Sequence, residues 1–393
     1  MVHLDRDVPE LRAAFTLIEA FLETERQQRK IPGLSASIVY DQEIIWSKGF
    51  GFANIEKRIP ATPQTIYRIA SITKLFTATM LMQLRDAGKL HLDEPVEKYL
   101  PAFKIKTSFA DPAPITLRQL VSHLSGLPRD APVDREYEEN SVLLPSTEQT
   151  LASLEQVELI AAPMTKPLYS NLGFAILGYV LGLIAGQPYT QYVTEHILHP
   201  LGMNNSGYEP PTEAMQVHLA TGYNAQRENE TAPIAAPVTV ERGQNPAGGL
   251  FSSVKDIARF ISLQFRDGPA GGAQVLKGST LREMHAPVFL QADWREATGI
   301  AWGIRRIQDY TAVRHSGGIF GFSTDVIIIP ELKLGIALFI NTAQDAGWLN
   351  RSALEMVLPV FTRILKRQQE ATKQDPGGEV DFHAWQPPIS GSE

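Results

Sequence analysis

The order of β-rich and helical texture along the chain constrains its fold more than any single motif does. Leu34–Tyr40 and Glu43–Phe50 are two strand-like runs around Asp41-Gln42 and read as a hairpin. From about 103 to 290 the pattern turns to helices and long loops, with helices expected near 153–161, 172–186, 189–198 and 253–266. Gly248-Gly249 and Gly268–Gly272 mark tight turns there. Short β-rich runs return at Ile300–Gln308, Ala312–Arg314, Thr324–Ile329 and Leu334–Asn341, and terminal helices are expected at 9–29 and 347–367. An α/β fold of the α+β kind satisfies this order: one antiparallel sheet built from both chain ends, flanked by helices, with an all-helical lobe inserted. The sheet lobe would take residues 1–100 and 299–367 and the helical lobe 101–298. Residues 368–393 would be a polar tail, or a linker into a further domain. A cleft between two lobes is a common place for a site.

Composition narrows the function. With 393 residues, 44% of them apolar and 20% charged, the chain can bury a sizeable core. A formal charge of −7 leaves no basic footprint for nucleic acid, and no polybasic run favours a membrane surface. The longest apolar stretch, Leu172–Ala185, is glycine-punctuated and shorter than the roughly 18 residues a spanning helix needs. Met1-Val2-His3-Leu4-Asp5-Arg6-Asp7 is charged, and Ala13–Leu22, interrupted by Glu19, reads as an amphipathic helix, not a signal-peptide core. The chain as it stands is therefore expected in the cytoplasm, or in the periplasm or outside the cell if a leader was removed. A cysteine count of 0 excludes disulfides, thiolate nucleophiles and cysteine-type metal sites.

Chemistry enters at Tyr67-Arg68-Ile69-Ala70-Ser71-Ile72-Thr73-Lys74-Leu75-Phe76. A β-favouring run stops at Ala70 and a helical pattern begins at Ser71, so Lys74 stands one turn along the same face. A serine hydroxyl needs a base, and a desolvated lysine can serve. Ser252-Ser253-Val254-Lys255 repeats the S-x-x-K spacing, so the spacing alone does not choose between the two. His196 and His199 share a helical face but lack a third ligand nearby, so no metal site is expected. Gly49-Phe50-Gly51 lacks the third glycine and the following helix of a dinucleotide-binding turn.

Two further motifs favour Ser71. Tyr169-Ser170-Asn171 sits in a loop between Pro167 and an apolar helix beginning at Leu172, and His315-Ser316-Gly317-Gly318 follows one short strand and precedes another. With Ser71 and Lys74 they make the ordered set S-x-x-K, Y-x-N, H-x-G. In that set the chain resembles the serine β-lactamase and penicillin-binding-protein superfamily, especially class C β-lactamases, family VIII carboxylesterases and D-amino-acid peptidases. The resemblance spans about 34 to 365, and Ser122-His123-Leu124-Ser125-Gly126-Leu127 and Ala247-Gly248-Gly249-Leu250-Phe251-Ser252-Ser253 also resemble family segments.

The resemblance implies that Ser71 is the acylated nucleophile and that Lys74 and Tyr169 share the proton work, without saying which acts first. It implies substrate binding by Asn171, His315 and Gly317, with Asn171 also holding the Lys74 amine. The oxyanion hole would be the backbone N–H groups of Ser71 and Gly318. No metal or organic cofactor is implied, and the only expected partner is a small acyl substrate. His123 and Ser125 receive no role. One departure matters: His315 stands where β-lactamases of the family carry a lysine, which argues for neutral esters over anionic β-lactams. The expected activity is a carboxylesterase on small acyl esters with at most weak β-lactam hydrolysis. The alternatives are a β-lactamase or D-amino-acid or short-peptide peptidase, and a penicillin-binding sensor that acylates without turning over.

Overall fold

The computed structural model describes residues 8–110, 113–209, 211–226, 232–268 and 272–374. The charged residues 1–7, the middle of the 268–272 glycine turn and positions 375–393 of the expected tail lie outside these. In chain order the first strands are β1 (Gly33–Tyr40), β2 (Glu43–Asn54), β3 (Ile59–Pro60) and β4 (Ile66–Arg68). The middle of the chain contributes β5 (Glu136–Glu138), β6 (Ser141–Leu143), β7 (Val238–Val240) and β8 (Phe251–Ser253). The last are β9 (Phe289–Leu290), β10 (Glu296–Thr298), β11 (Gly303–Ile307), β12 (Tyr310–Ile319), β13 (Phe322–Ile329) and β14 (Leu334–Ile340).

A nine-stranded antiparallel sheet runs in the order β3-β2-β1-β14-β13-β12-β11-β10-β9. The two chain ends meet where β1 pairs with β14, from Leu34 opposite Ile340 to Tyr40 opposite Leu334. Side chains alternate between the faces of a strand, and β14 shows how each face is covered. Ile336 and Leu338 point to one side. There they join Leu11, Ile18 and Leu22 of the N-terminal helix Pro9–Gln28 and Leu354 and Phe361 of the C-terminal helix Ala346–Gln374. Ala337 and Phe339 point to the other, with Ile257 and Ile261 of the helix Val254–Gln264. Each such leucine, isoleucine or phenylalanine, fully buried, stabilises the fold by about 1.5–3 kcal/mol before chain entropy is counted.

Four expectations need correction. The inserted lobe is not all helical: β5, β6 and β7 form a small sheet in which β6 and β7 run parallel, because chain distant in sequence supplies the third strand. The large sheet begins before 299, since β9 and β10 pair onto β11. The C-terminal helix continues to Gln374, past the expected end at 367. Finally, His315–Gly318 lie inside β12 and not between two strands. A glycine pair reads as a turn locally, yet a Cβ on Gly317 would sit 2.2 Å from the Ile69 carbonyl oxygen, so glycine is needed for close approach. The turn itself falls at Gly321, where φ is +76°.

No single helix among the described residues is long and apolar enough to cross a membrane. Leu172 to Leu181 are instead mostly buried inside the helical lobe.

Candidate active site

The nucleophile candidate sits in a turn clamped from two sides. After β4, residues Ala70–Ile72 form a single 3-10 turn, and only then does the helix Thr73–Asp86 begin. Ser71 is thus not the first residue of that helix, contrary to the sequence pattern. Ala70 has φ of +48°, a left-handed conformation that costs a non-glycine residue energy and marks an over-determined site. The clamp supplies the compensation. Ile69 N–H donates to Leu250 O at 3.0 Å, Thr324 Oγ1 donates to Ile69 O at 2.9 Å, and Thr73 Oγ1 donates to Ala70 O at 2.6 Å.

Lys74 is fully buried. Its Nζ donates to Ser71 Oγ at 3.2 Å, Asn171 Oδ1 at 2.8 Å and the Ala247 carbonyl oxygen at 2.7 Å. An ammonium has three donors, so these neutral acceptors use all of them. Burial lowers its pKa to about 7, with the through-space pull of Glu241 opposing that fall. A large share of this amine is therefore unprotonated at neutral pH, unlike a lysine in water.

Tyr169 shares a hydrogen bond with the Ser71 side chain, and burial raises its pKa to about 12. Its ring lies 4.8 Å from Lys74 Nζ and 5.1 Å from the Arg129 guanidinium. The loop carrying it is held by neighbours on both sides. Ser170 caps the helix Asn171–Ala185: its hydroxyl accepts from Gly173 N–H at 2.9 Å and donates to Pro128 O at 2.7 Å. Asn171 is thereby free to accept from Lys74 and to donate to Asp130 Oδ1 at 2.9 Å.

His123, given no role from sequence, is a positioning residue for this loop. Its Nδ1 accepts from Ser170 N–H at 3.1 Å, its carbonyl accepts from Leu168 N–H at 2.7 Å, and its ring lies 4.3 Å from that of Tyr169. The Ser-His-Leu-Ser-Gly segment was a visible signal, but nothing in it said what the histidine touches.

His315 is nearly buried on β12, and its Nδ1 lies 2.8 Å from the Ser316 carbonyl oxygen. A carbonyl can only accept, so the neutral ring carries its proton on Nδ1. Burial, with the Lys74 charge adding to it, lowers its pKa to about 3, so the ring is uncharged at neutral pH.

A cavity of about 430 Å³ opens in front of Ser71. Asn171, Ala247, Gly248 and Gly318 line it around Ser71, Arg129, Asp130 and Arg135 bring charge, and Leu144, Phe320 and Phe322 supply apolar wall. His315 and Gly317 do not line it: a Cβ on Gly317 would meet Ile69 O at 2.2 Å and Ser71 N at 3.1 Å on the nucleophile turn, and the His315 ring lies 6.4 Å from that of Tyr169. Gly318 does line it, and a Cβ there would meet nothing within 4 Å. Pairing of β11 with β12 ends at Gly303 opposite Arg314, which leaves the 315–319 edge of β12 open toward the cleft. Glu241, on no recognisable motif, also lines the cavity, and burial raises its pKa to about 7.

The second S-x-x-K has a different role. Ser252 lies in β8, with its hydroxyl 2.8 Å from that of Ser206, and Ser253 caps the following helix by accepting from Asp256 N–H at 3.2 Å. His196 packs its ring 4.3 Å from Tyr192, and among the described residues no group of three potential ligands meets.

A sheet from both chain ends, a helical lobe, and a serine–lysine pair at their junction define the penicillin-binding type of serine hydrolase fold. Residues 17–354 match the family model described as Beta-lactamase, and the chain belongs to that family. It is 31% identical over 370 residues to "Beta-lactamase-like protein 2" of Dictyostelium discoideum, across 93% of this chain and 66% of that protein. The chain thus spans a little under two-thirds of the length of that relative. The octameric penicillin-binding protein homologue from Pyrococcus abyssi superposes with a TM-score of 0.74 at 29% identity, across 88% of this chain and 77% of that one. EstCE1, a hydrolase with promiscuous acyltransferase activity, shares the fold with a TM-score of 0.74 at 21% identity, across 88% and 99% of the two chains.

Proposed function

We propose that the chain is a serine hydrolase working through a Ser71 acyl-enzyme, and that it acts as a carboxylesterase on small acyl esters. The observation that carries this reading is the fully buried Lys74 amine, 3.2 Å from Ser71 Oγ and bonded only to neutral acceptors. A buried amine held near neutrality is a competent base at pH 7. Tyr169, raised to about 12, stays a phenol, so Lys74 takes the first proton.

In that sequence, neutral Lys74 accepts the Ser71 proton as Oγ forms its bond to the acyl carbon. The N–H groups of Ser71 and Gly318 receive the developing oxyanion. As the ester C–O bond breaks, the proton returns from Lys74 through the Tyr169 hydroxyl to the departing alkoxide. Water then attacks the acyl-enzyme, giving up its proton to the same groups, and Ser71 is restored with release of the acid. Neutral His315 offers no fixed cation for a β-lactam carboxylate, which disfavours anionic substrates.

A second reading, a β-lactamase or a D-amino-acid or short-peptide peptidase, is favoured by Arg129 and Arg135 at the cavity, either of which can face a carboxylate. A side-by-side panel of p-nitrophenyl esters, a chromogenic cephalosporin and D-alanyl amides separates the two. Ester turnover well above the others supports the esterase, faster cephalosporin turnover the β-lactamase, and a stoichiometric burst without turnover a penicillin-binding sensor. Mass spectrometry after an organophosphonate is expected to find the adduct on Ser71. An adduct on Ser252, or full activity in Ser71→Ala, overturns the assignment.

A further inference from the structure

The cavity wall contributed by β7 has polar groups that the reaction above does not use. Thr239 and Glu241 stand two residues apart on extended chain, both line the cavity, and they are only 2% and 4% exposed. Arg242, between Glu241 and Gly243, turns the other way, donating to Leu144 O at 2.7 Å and to Glu136 Oε1 at 2.8 Å. The Thr239 hydroxyl is buried without a hydrogen-bond partner. The Glu241 carboxyl accepts no hydrogen bond among the described residues; Arg68, Lys74, Glu209 and Arg135 act on it through space. Arg68 is committed to Glu209 and Lys74 to its three acceptors, while Arg135 is exposed at the mouth. A Cβ on Gly248 would lie 3.4 Å from Glu241 Oε1 and 3.9 Å from the Ala70 carbonyl carbon, which puts the carboxyl close beside the nucleophile turn.

Buried polar groups in folded proteins are nearly always paired. A hydroxyl and a carboxyl without hydrogen-bond partners, side by side on the wall of a substrate cavity, can both accept from a ligand group that donates. We propose that Thr239 and Glu241 form a subsite for a protonated amine carried by the acyl substrate. A primary ammonium presents three donors and no acceptor, and so suits a carboxylate and a hydroxyl together. The uncharged His315 does not repel it, whereas a lysine at that position would. The preferred substrates are then amine-bearing acyl esters or amides.

This proposal rests on the Ser71 acyl-enzyme reading and refines its substrate. The test compares alanine methyl ester, as both enantiomers, with methyl isobutyrate, in which a methyl group replaces the ammonium. A second pair is methyl 6-aminohexanoate and methyl heptanoate, for an amine held further away. Hydrolysis is followed by pH-stat at pH 7.5 in wild type, Glu241→Gln and Thr239→Val, with a thermal melt of each protein. At least one amine-bearing ester is expected to exceed its neutral partner in kcat/KM by about ten- to a hundredfold, the range of a charge-assisted contact. Glu241→Gln should remove that ratio and Thr239→Val should reduce it. If Glu241→Gln does not fold, the Thr239→Val ratio decides. Neutral esters hydrolysed as fast as their amine partners, or a ratio unmoved in the variants, overturns the subsite while leaving the Ser71 reading intact. Full ester hydrolysis in Ser71→Ala overturns both.

Discussion

An amine removed from water holds its proton weakly, and Lys74 has been removed completely. The same burial that leaves it able to take a proton costs stability. Its folded pKa, about 7, lies below the 10.5 of a solvated lysine. The unfolded chain thus binds more protons between those values, and Lys74's contribution to stability improves as pH rises from about 7 toward 10.5. Below pH 7 the charged amine is buried and the full cost is present. Lys74→Met is accordingly expected to abolish turnover while leaving the protein as stable or up to about 4 kcal/mol more stable at pH 6, as replacement of a buried charge commonly does. Urea melts at pH 6 and pH 9 check it, and a marked loss of stability at pH 6 would show that the three hydrogen bonds outweigh desolvation. In the wild type, kcat/KM should rise through an acid limb near 7. Tyr169→Phe removes only the hydroxyl and is expected to lower kcat by about 10²–10⁴, the usual range for an acid–base group. Single-turnover kinetics locate the loss, and wild-type rates would reduce Tyr169 to packing.

β12 and the nucleophile turn behave as one element because Gly317 lets them touch. A Cβ there would fall 2.2 Å from Ile69 O and 2.4 Å from Thr324 Oγ1. Gly317→Ala must therefore push β12 off the turn, with an expected loss of about 1–3 kcal/mol from overpacking and a loss of activity. Gly318→Ala meets no atom within 4 Å, so its melting behaviour should match wild type to within about 0.5 kcal/mol while KM rises, since the new methyl enters the cavity. Equal effects of the two substitutions would refute this division of labour. The Tyr169 loop follows the same logic, with Ser170 and His123 holding the backbone so that Tyr169 and Asn171 reach Ser71 and Lys74.

Across the whole molecule, one sheet drawn from both chain ends fixes the two lobes around a single junction. β1 and β14 pair within it, and the helix Val254–Gln264 packs on the same strands. The proposed chemistry takes its nucleophile, base and oxyanion donors from that junction. Dialysis against a chelator is therefore expected to leave ester hydrolysis unchanged. A loss restored by zinc would point to metal ligands that the serine–lysine reading ignores.

By itself the sequence determined the alternation of β-rich ends and helical middle, and with it the sheet architecture. Hydrophobic period and turn residues are local properties that survive without a structure. It also determined the order of the three motifs, which favours Ser71 over Ser252 as the nucleophile candidate. What escaped it were the contacts between distant residues that no motif marks. Glu241 and Thr239 have no motif, and only the tertiary fold brings β7 to the cavity. The serine–glycine run of β12 reads as a turn until the Ile69 carbonyl is placed against it. His315 carries a family position, but its burial on β12, not its chemistry alone, makes it neutral. Desolvation depends on what surrounds a group in three dimensions, so only the tertiary structure decided which of these ionisable side chains would be shifted.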